Sequence, residues 1–161
     1  MADETTLGAA DPGNGNAAPP MVIAAQYIKD LSFENPLGAA ALAGLEEGPN
    51  VSIEVNTSSR KLGGNSHEVT LFLRGEAKSK DKVVFIVELT YGGVIQLNNV
   101  PEDAVQPVLL IDGARHLFPF ARSILANVTR DGGFVPLMVN PIDFASMYVQ
   151  QYGLPESMQG E

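Results

Sequence analysis

The sequence predicts an α+β domain, in which an antiparallel sheet comes first along the chain and helices pack on one face of it. Four segments before Pro101 alternate apolar and polar residues or are rich in β-branched and aromatic ones. Beyond Pro101 the apolar residues recur with a period of about 3.6 rather than about 2. Strands followed by helices in this order are typical of the α+β class with an antiparallel sheet.

The first predicted strand runs from Val22 to Asn35-Pro36, because its odd positions are mostly apolar while Gln26, Asp30, Ser32 and Glu34 occupy even positions among them. The stretch that follows, up to Pro49, is rich in Ala, Gly and Leu. It fits both a short helical turn and an irregular connection, and periodicity leaves these two alternatives open.

The second and third strands alternate apolar with mainly polar residues and flank a turn at Gly63-Gly64-Asn65. The apolar positions of these two strands are Val51, Ile53 and Val55, and then Val69, Leu71 and Leu73. Each of these strands is therefore expected to bury one face.

The fourth strand, from Lys82 to Leu97, is apolar on both faces. One face carries Phe85, Val87, Leu89 and Tyr91, and the other carries Val84 and Ile86. Since such a strand is covered on both sides or lies at a subunit contact, we expect the four residues of the first face to form an oligomer interface. The Gly92-Gly93 pair predicts a bulge or a bend.

Helical segments are predicted after the sheet. The first runs from Pro101 to about Gly113, and the last is capped by Asn140-Pro141 and runs to about Tyr152. Between them, a segment beginning near Pro119 has the apolar stripe Leu117, Phe120, Ile124 and Val128. Pro119 is expected to break one long helix into two pieces, because proline removes a backbone donor and clashes with the preceding turn.

One folded domain is expected over residues 21–153, since 161 residues suffice for one core but hardly for two. Residues 1–20 are expected to form a flexible arm and residues 154–161 a flexible acidic tail. The first twenty residues lack the order of a signal peptide, and no segment approaches the roughly 20 apolar residues that cross a bilayer. We therefore expect a cytoplasmic protein without membrane insertion.

The net charge bounds the possible partners. Nineteen acidic and ten basic side chains give a formal charge of −9, which would repel the phosphate backbone of nucleic acids and favour basic polypeptides. Cysteine is absent, so disulfides, thiolate nucleophiles and cysteine-based metal sites are excluded.

Motifs for catalysis are nearly missing. His67 and His116 are the only histidines, and a P-loop and a serine nucleophile elbow are both absent. Asp112 and His116, at i and i+4, form the one local acid–base arrangement. We expect no enzyme, no metal site and no cofactor; a small α+β enzyme that uses this pair and a purely structural assembly subunit remain alternatives.

Two predicted surfaces, one acidic and one apolar, are candidates for binding partners. If the outer faces of the first and fourth strands coincide, Asp30, Glu34 and Glu88 form an acidic patch around Ile86, which suits a basic partner segment. Apolar residues of the segment after the second helix, and of the last helix, suit promiscuous apolar recognition, although helical spacing also fits a core. With the second strand they define a predicted client groove: Val51, Ile53, Val55, Phe134, Leu137, Met138, Phe144, Met147 and Tyr148.

Several blocks of the chain, in the same order and spacing, resemble the SecB family of protein-export chaperones. They are Tyr27–Pro36, Phe85–Glu88 leading to Gly92-Gly93, Leu117–Arg122, Gly133–Pro136 and Asn140–Phe144. The likeness extends from about Val22 to Gln151. The first twenty residues and the segment from Leu37 to Pro49 depart from the family pattern in being longer or richer in Ala and Gly.

This resemblance implies a four-stranded antiparallel sheet with two helices, assembled as a homotetramer that is a dimer of dimers with the helices between the sheets. It implies a holdase that binds unfolded secretory preproteins and delivers them to the motor ATPase SecA. The zinc-carrying C-terminal tail of SecA docks on the acidic sheet face in that family, so the zinc belongs to the partner. By position, Asp30, Glu34, Ile86 and Glu88 match the SecA-contacting residues.

Overall fold

The computed structural model describes residues 18–44, 48–155 and Gln159, and the described residues have the predicted α+β architecture. Four antiparallel strands form one sheet in the order β1-β4-β3-β2. They are β1 (Met21–Glu34), β2 (Asn50–Gly63), β3 (Ser66–Ser79) and β4 (Lys82–Leu97). The outermost strands, β1 and β2, are the two edges of the sheet. The predicted arm over residues 1–20 and tail over residues 154–161 lie mostly outside the described residues.

Helices cover one face of the sheet. They are α1 (Ala39–Leu42), α2 (Glu102–Pro107), a π-helical segment (Val108–Gly113), α3 (Ala114–Asp131) and α4 (Phe144–Tyr152). Of the alternatives left open before Pro49, a single helical turn, α1, is present, while residues 45–47 lie outside the described part of the chain. The N-cap of α4 is Asp143, three residues later than predicted, and it accepts a hydrogen bond from the Ser146 N–H.

The prediction that the helix breaks near Pro119 is wrong, because Pro119 lies inside α3. The irregularity comes earlier, in the π-helical segment, where the Ala114 N–H reaches the Leu109 carbonyl five residues back. Leu117, Phe118 and Ala121 are buried around the proline. We infer that their packing on the sheet outweighs the loss of one backbone hydrogen bond.

The buried stripe of α3 differs from the predicted one. Its members are Ala114, Leu117, Phe118, Ala121 and Leu125, followed by Thr129. Phe120, which was predicted to lie on the apolar stripe, is 52 % exposed, whereas Ile124 and Val128 are partly buried against the core. The helix is therefore rotated so that Phe120 points away from the sheet.

The core lies between the helices and the inner faces of β3 and β4. Val87 and Leu89 have no exposed surface within the single chain, and Phe85 and Tyr91 retain only 4 % and 7 %. Because the chain's own helices and loops already cover these four side chains, the prediction that they form an oligomer interface is wrong. Val84 is also buried, since an irregularity in register opposite Ala77 and Lys78 leaves it as the extra residue of β4.

The Gly92-Gly93 pair allows close approach on both faces of β4 instead of bending it. A Cβ on Gly93 would lie 2.7 Å from Leu117 Cδ2 of α3, and one on Gly92 would lie 2.7 Å from Cε2 of the Tyr27 ring. The register of β4 with β3 is continuous here, and the predicted irregularity occurs in β1 opposite, between Ile23 and Ala25 and between Ile28 and Asp30.

A buried carboxylate on β3 binds side chains of β1 across Gly92 of β4. Glu68 of β3 is only 7 % exposed and accepts hydrogen bonds from the Tyr27 hydroxyl, from Lys29 Nζ at 2.9 Å and from Arg60 at 3.2 Å. Burial and the hydrogen bond to Glu68 raise the pKa of Tyr27 to about 12. The network therefore connects β1 to β3 over Gly92 of the intervening strand β4.

Replacing Glu68 with glutamine should reduce the acid sensitivity of folding. Hydrogen bonds from Tyr27 and then Lys29 lower the pKa of Glu68 from 4.5 to about 2. A depressed carboxyl pKa stabilises the fold above the unfolded pKa, and this contribution is lost as the pH falls from 4.5 towards 2. We expect Glu68→Gln to lower the free energy of unfolding at neutral pH by roughly 2 to 3 kcal/mol and to flatten its decline below about pH 5.

Urea unfolding at a fixed protein concentration and a series of pH values measures both effects. Glu54→Gln is the matched control, since Glu54 is an exposed glutamate on β2 that accepts one side-chain hydrogen bond, from Asn56. Equal losses in the two variants, or equal pH dependence of wild type and Glu68→Gln, would contradict the prediction.

Candidate functional site

An apolar groove lies at the end of the sheet where the helix layer stops. Its volume is about 540 Å³. The wall consists of α1 with the start of β2, the bulge in β4, and the loop after α3. The lining residues are Ala41, Leu42, Gly44, Gly48, Pro49, Val51, Val84, Phe85, Gly133, Phe134, Val135, Pro136, Leu137 and Met138.

Three aromatic rings from distant parts of the chain support the groove. Phe85 and Phe134 have ring centroids 5.0 Å apart, and Phe33 of β1 lies 6.0 Å from the first and 6.2 Å from the second. Gly132 permits this cluster, because a Cβ there would lie 2.3 Å from Phe33 Cζ. The glycine predicted only as a helix stop thus also gives Phe33 room beside the loop.

The loop that supplies six of the fourteen lining residues is held to α3 by hydrogen bonds. Thr129, fully buried, accepts a hydrogen bond from the Leu137 N–H at its Oγ1 (2.9 Å) and one from the Phe134 N–H at its carbonyl oxygen (3.1 Å). Arg122 Nε donates to the Val139 carbonyl at 2.8 Å. These bonds fix an apolar segment that has no helix or strand of its own.

Exposed apolar side chains line the rim of the groove. Val135 is 87 % exposed, and Leu42, Met138 and Val51 are 59 %, 56 % and 42 % exposed. A cluster of exposed apolar side chains around a cavity is typical of a binding surface, whereas single ones are common on any protein.

The structure brings together four of the nine predicted groove residues, Val51, Phe134, Leu137 and Met138. Ile53 extends the groove along β2, since it and Leu137 both approach Gly75, and Val55 packs half-buried against the core. Phe144, Met147 and Tyr148 belong to α4, and their assignment to the groove is wrong: Phe144 and Tyr148 are buried in the core and Met147 packs on it.

The acidic residues also come together as predicted. In the register of β1 with β4, Ser32 lies opposite Glu88 and Glu34 opposite Ile86, with Asp30 opposite Thr90. These side chains share the outer face of the sheet, away from the helices. Sequence patterns missed two more members of this acidic face, Glu54 and Glu76, which join it because β2 and β3 are neighbours of β4 in this strand order.

Arg74 of β3 lies in the middle of the acidic face. Its Nε donates to Glu88 Oε1 at 3.1 Å, and its Nη1 lies 2.7 Å from Glu76 Oε2. Lys78 Nζ is 3.2 Å from the other oxygen of Glu76. Hydrogen bonds from Arg74 and then Lys78 hold the pKa of Glu76 below its ordinary value. Asp30 and Glu34 are exposed and have no ion pair among the described residues.

The acid–base pair of the enzyme hypothesis does not form. Asp112 Oδ1 accepts a hydrogen bond from Arg115 at 3.2 Å rather than one from His116. Among residues 18–44 and 48–155, no three metal-ligating side chains converge.

In the part of the chain that the structure describes, none of the helices has both the length and the apolar character of a membrane span.

The fold and its two surfaces define an α+β domain with an open apolar groove on one side of its sheet and a charged face on the other. Comparisons with known proteins identify the family. The model of the family described as preprotein translocase subunit SecB matches residues 14–153. The chain belongs to the SecB family, a family of protein-export chaperones and not of enzymes.

Individual relatives agree. The protein-export protein SecB of Afipia carboxidovorans is 49 % identical over 135 residues, which are 83 % of this chain and 84 % of that protein. The one from a Bradyrhizobium species is 48 % identical over 153 residues, 92 % of this chain and 94 % of that protein. The fold matches a SecB-like chaperone of Mycobacterium tuberculosis in complex with an antitoxin peptide, with a TM-score of 0.63, 11 % identity and coverage of 76 % and 91 %.

Proposed function

We propose that the protein is a holdase that binds unfolded preproteins in the bacterial cytoplasm, keeps them competent for translocation and delivers them to the SecA motor of the Sec export pathway. The observation that carries this proposal is the apolar groove, with aromatic side chains inside it and exposed apolar side chains on its rim. The relatives of the chain are protein-export proteins by name, and the mycobacterial SecB-like chaperone has a peptide ligand.

A groove of this kind selects unfolded chains by their exposed apolar segments. Met138 is conformationally adaptable, and the partly exposed ring of Phe134 offers contact area to many different side chains. Native clients bury these segments, so binding the unfolded form alone shifts their folding equilibrium by mass action and requires no bond chemistry. The edge strand β2 borders the groove at Val51, where its unpaired backbone groups could bind an extended segment.

The acidic face is the proposed docking site for the SecA tail. Asp30, Glu34 and Glu88 would attract basic residues of that tail, and the half-buried Ile86 would supply an apolar contact between them. The apolar groove requires no charge, so the two ligands would occupy chemically different surfaces on the two sides of the sheet. The zinc would remain on the partner.

A homotetramer, arranged as a dimer of dimers, is the proposed assembly. Its interface is not the inner face of β4, which is covered within the chain, but the apolar residues that the single chain leaves exposed. On the β1 edge these are Ile28 and Leu31, 49 % and 38 % exposed, and on the outer side of α3 the main one is Phe120. Helices packed between two sheets would bury Phe120.

We predict that the double change Val135→Ser and Met138→Ser weakens binding of an unfolded preprotein. Both side chains are exposed at the groove rim, so their loss should lower affinity by about 1.4 to 3 kcal/mol, tenfold or more, without unfolding the chain. Leu62→Ser is the matched control, because Leu62 is 45 % exposed at the far end of β2. Fluorescence titration with one secretory protein, denatured and native, gives the affinities.

Two outcomes would contradict the holdase. Equal affinity for the denatured and native forms would exclude selective binding of unfolded chains. Failure of the protein to delay aggregation of the denatured preprotein without nucleotide would favour the purely structural assembly subunit.

A charge reversal of the acidic face should separate the two ligands. Single exposed ion pairs contribute roughly 0.2 to 1 kcal/mol, so Asp30→Lys or Glu34→Lys alone should weaken SecA binding modestly and the pair together about tenfold or more. The difference should shrink between about 0.01 M and 0.15 M salt, since the Debye length falls from roughly 30 to 8 Å. Affinity for the unfolded preprotein should stay unchanged.

Glu102→Lys with Asp103→Lys is the control, because these exposed acids lie at the start of α2 and produce the same change of net charge. Calorimetric titration of SecA with each variant measures the loss of SecA affinity that each pair of substitutions causes. Equal weakening by the two double variants would show that net charge, and not the acidic face, attracts SecA.

The assembly proposal predicts that Phe120→Asp lowers the particle mass from tetramer to dimer. A charge placed at an apolar interface without a partner costs several kcal/mol, which is comparable to the surplus stability of a modest interface. Val135→Asp serves as the control, since Val135 is more exposed than Phe120 but lies at the groove rim. Light scattering of both variants tests this, and a tetrameric Phe120→Asp variant would exclude this face from the interface.

A further inference from the structure

We propose that Arg74 competes with the docking basic segment for the carboxylates of the acidic face. The cations of that segment are thereby directed to the β1 edge. This inference rests on the proposed docking function of the face. The ion pairs of β3 and β4 determine which of the carboxylates are available to a partner.

The carboxylates at the centre of the face are already occupied. Arg74 uses two nitrogens of its guanidinium group to reach Glu88 Oε1 at 3.1 Å and Glu76 Oε2 at 2.7 Å. Lys78 contacts Glu76 Oε1 at 3.2 Å, so both oxygens of Glu76 have a cationic partner. Glu88 is 39 % exposed, with one of its two oxygens engaged. A partner that binds here has to displace or share the bonds of Arg74.

The edge of the face is free. Asp30 and Glu34 are exposed on β1 and have no ion pair within residues 18–44 and 48–155. Ile86 lies between the two zones, because Glu34 is its neighbour on β1 and Glu76 its neighbour on β3. A basic segment would therefore place its first cations over Asp30 and Glu34 and an apolar residue over Ile86, and would find the next carboxylates neutralised.

Arg74 is suited to this role by geometry as well as charge. Its side chain is only 28 % exposed, and the planar guanidinium group spans two acids on neighbouring strands. Lysine at this position would keep the charge but would lack the planar fork that reaches Glu88 and Glu76 with a fixed geometry. If Arg74 competes for the carboxylates, binding of the basic segment should depend on the residue type at position 74 and on its place in the face. If Arg74 only lowers the net negative charge, removing any cation of the face should have the same effect.

The test is the affinity for a fluorescein-labelled peptide in which four lysines flank one leucine, measured by anisotropy with the assembled full-length protein in low salt. We expect Arg74→Gln to bind the peptide about three- to tenfold more tightly, since it releases Glu88 and one oxygen of Glu76. Arg74→Lys should bind with intermediate affinity. Lys78→Gln, the control with the same change of net charge, should give less than half of that gain in binding free energy, because Arg74 still holds both acids.

The outcomes separate the inference from the function on which it rests. Unchanged or weaker peptide binding by Arg74→Gln and Arg74→Lys, in particles of wild-type mass and circular dichroism, would overturn the competition. Equal gains for Arg74→Gln and Lys78→Gln would also overturn it, in favour of net charge. If instead the Asp30→Lys, Glu34→Lys variant binds the peptide as wild type does, the docking function of the acidic face itself fails, and the inference with it.

Discussion

The helix layer and the β1 edge both depend on two positions in the middle of β4 that carry no side chain. Gly93 lets Leu117 of α3 contact the sheet on the inner face, and Gly92 lets Tyr27 cross the outer face to reach Glu68. A methyl group at either position would lie 2.7 Å from its neighbour, closer than carbon atoms pack. Larger residues at Gly92-Gly93 would therefore displace α3 from the sheet or separate Tyr27 from Glu68.

Both candidate surfaces follow from these two contacts. The position of α3 places Thr129 at the end of the helix, where its hydroxyl and carbonyl groups hold the loop that lines the apolar groove. On the other side, the bond from Tyr27 to Glu68 holds β1 against β4 next to the irregularity at Ile28, beyond which Asp30 and Glu34 face outward. One sheet thus has an apolar groove at the end of its covered side and a charged face on its open side.

Alternation and periodicity were sufficient for the α+β class, the four strands and the shared outer face of Asp30 and Glu88. They could not reveal contacts that depend on packing. The proline rule is local, so it predicted a break at Pro119 that the buried flanks of α3 override. Helical spacing of apolar residues does not show what covers them, so Phe144 was placed in the groove although it is core. Alternation shows which residues of one strand share a face but not which strands are neighbours, so it could not place Glu76 on the acidic face.

The composition of β2 opposes the association of this long edge strand with strands of other molecules. An edge presents unpaired backbone groups along its whole length, and 14 residues of such an edge invite association with any other strand. From Asn56 to Lys61 the side chains are polar or basic, which opposes pairing with an apolar segment. In the first six residues, from Asn50 to Val55, every second side chain is apolar, and Val51 lines the groove. At about 3.3 Å per residue this permissive stretch is roughly 20 Å long, so each chain would bind a short extended segment, and a long client would have to engage several chains of one assembly at once.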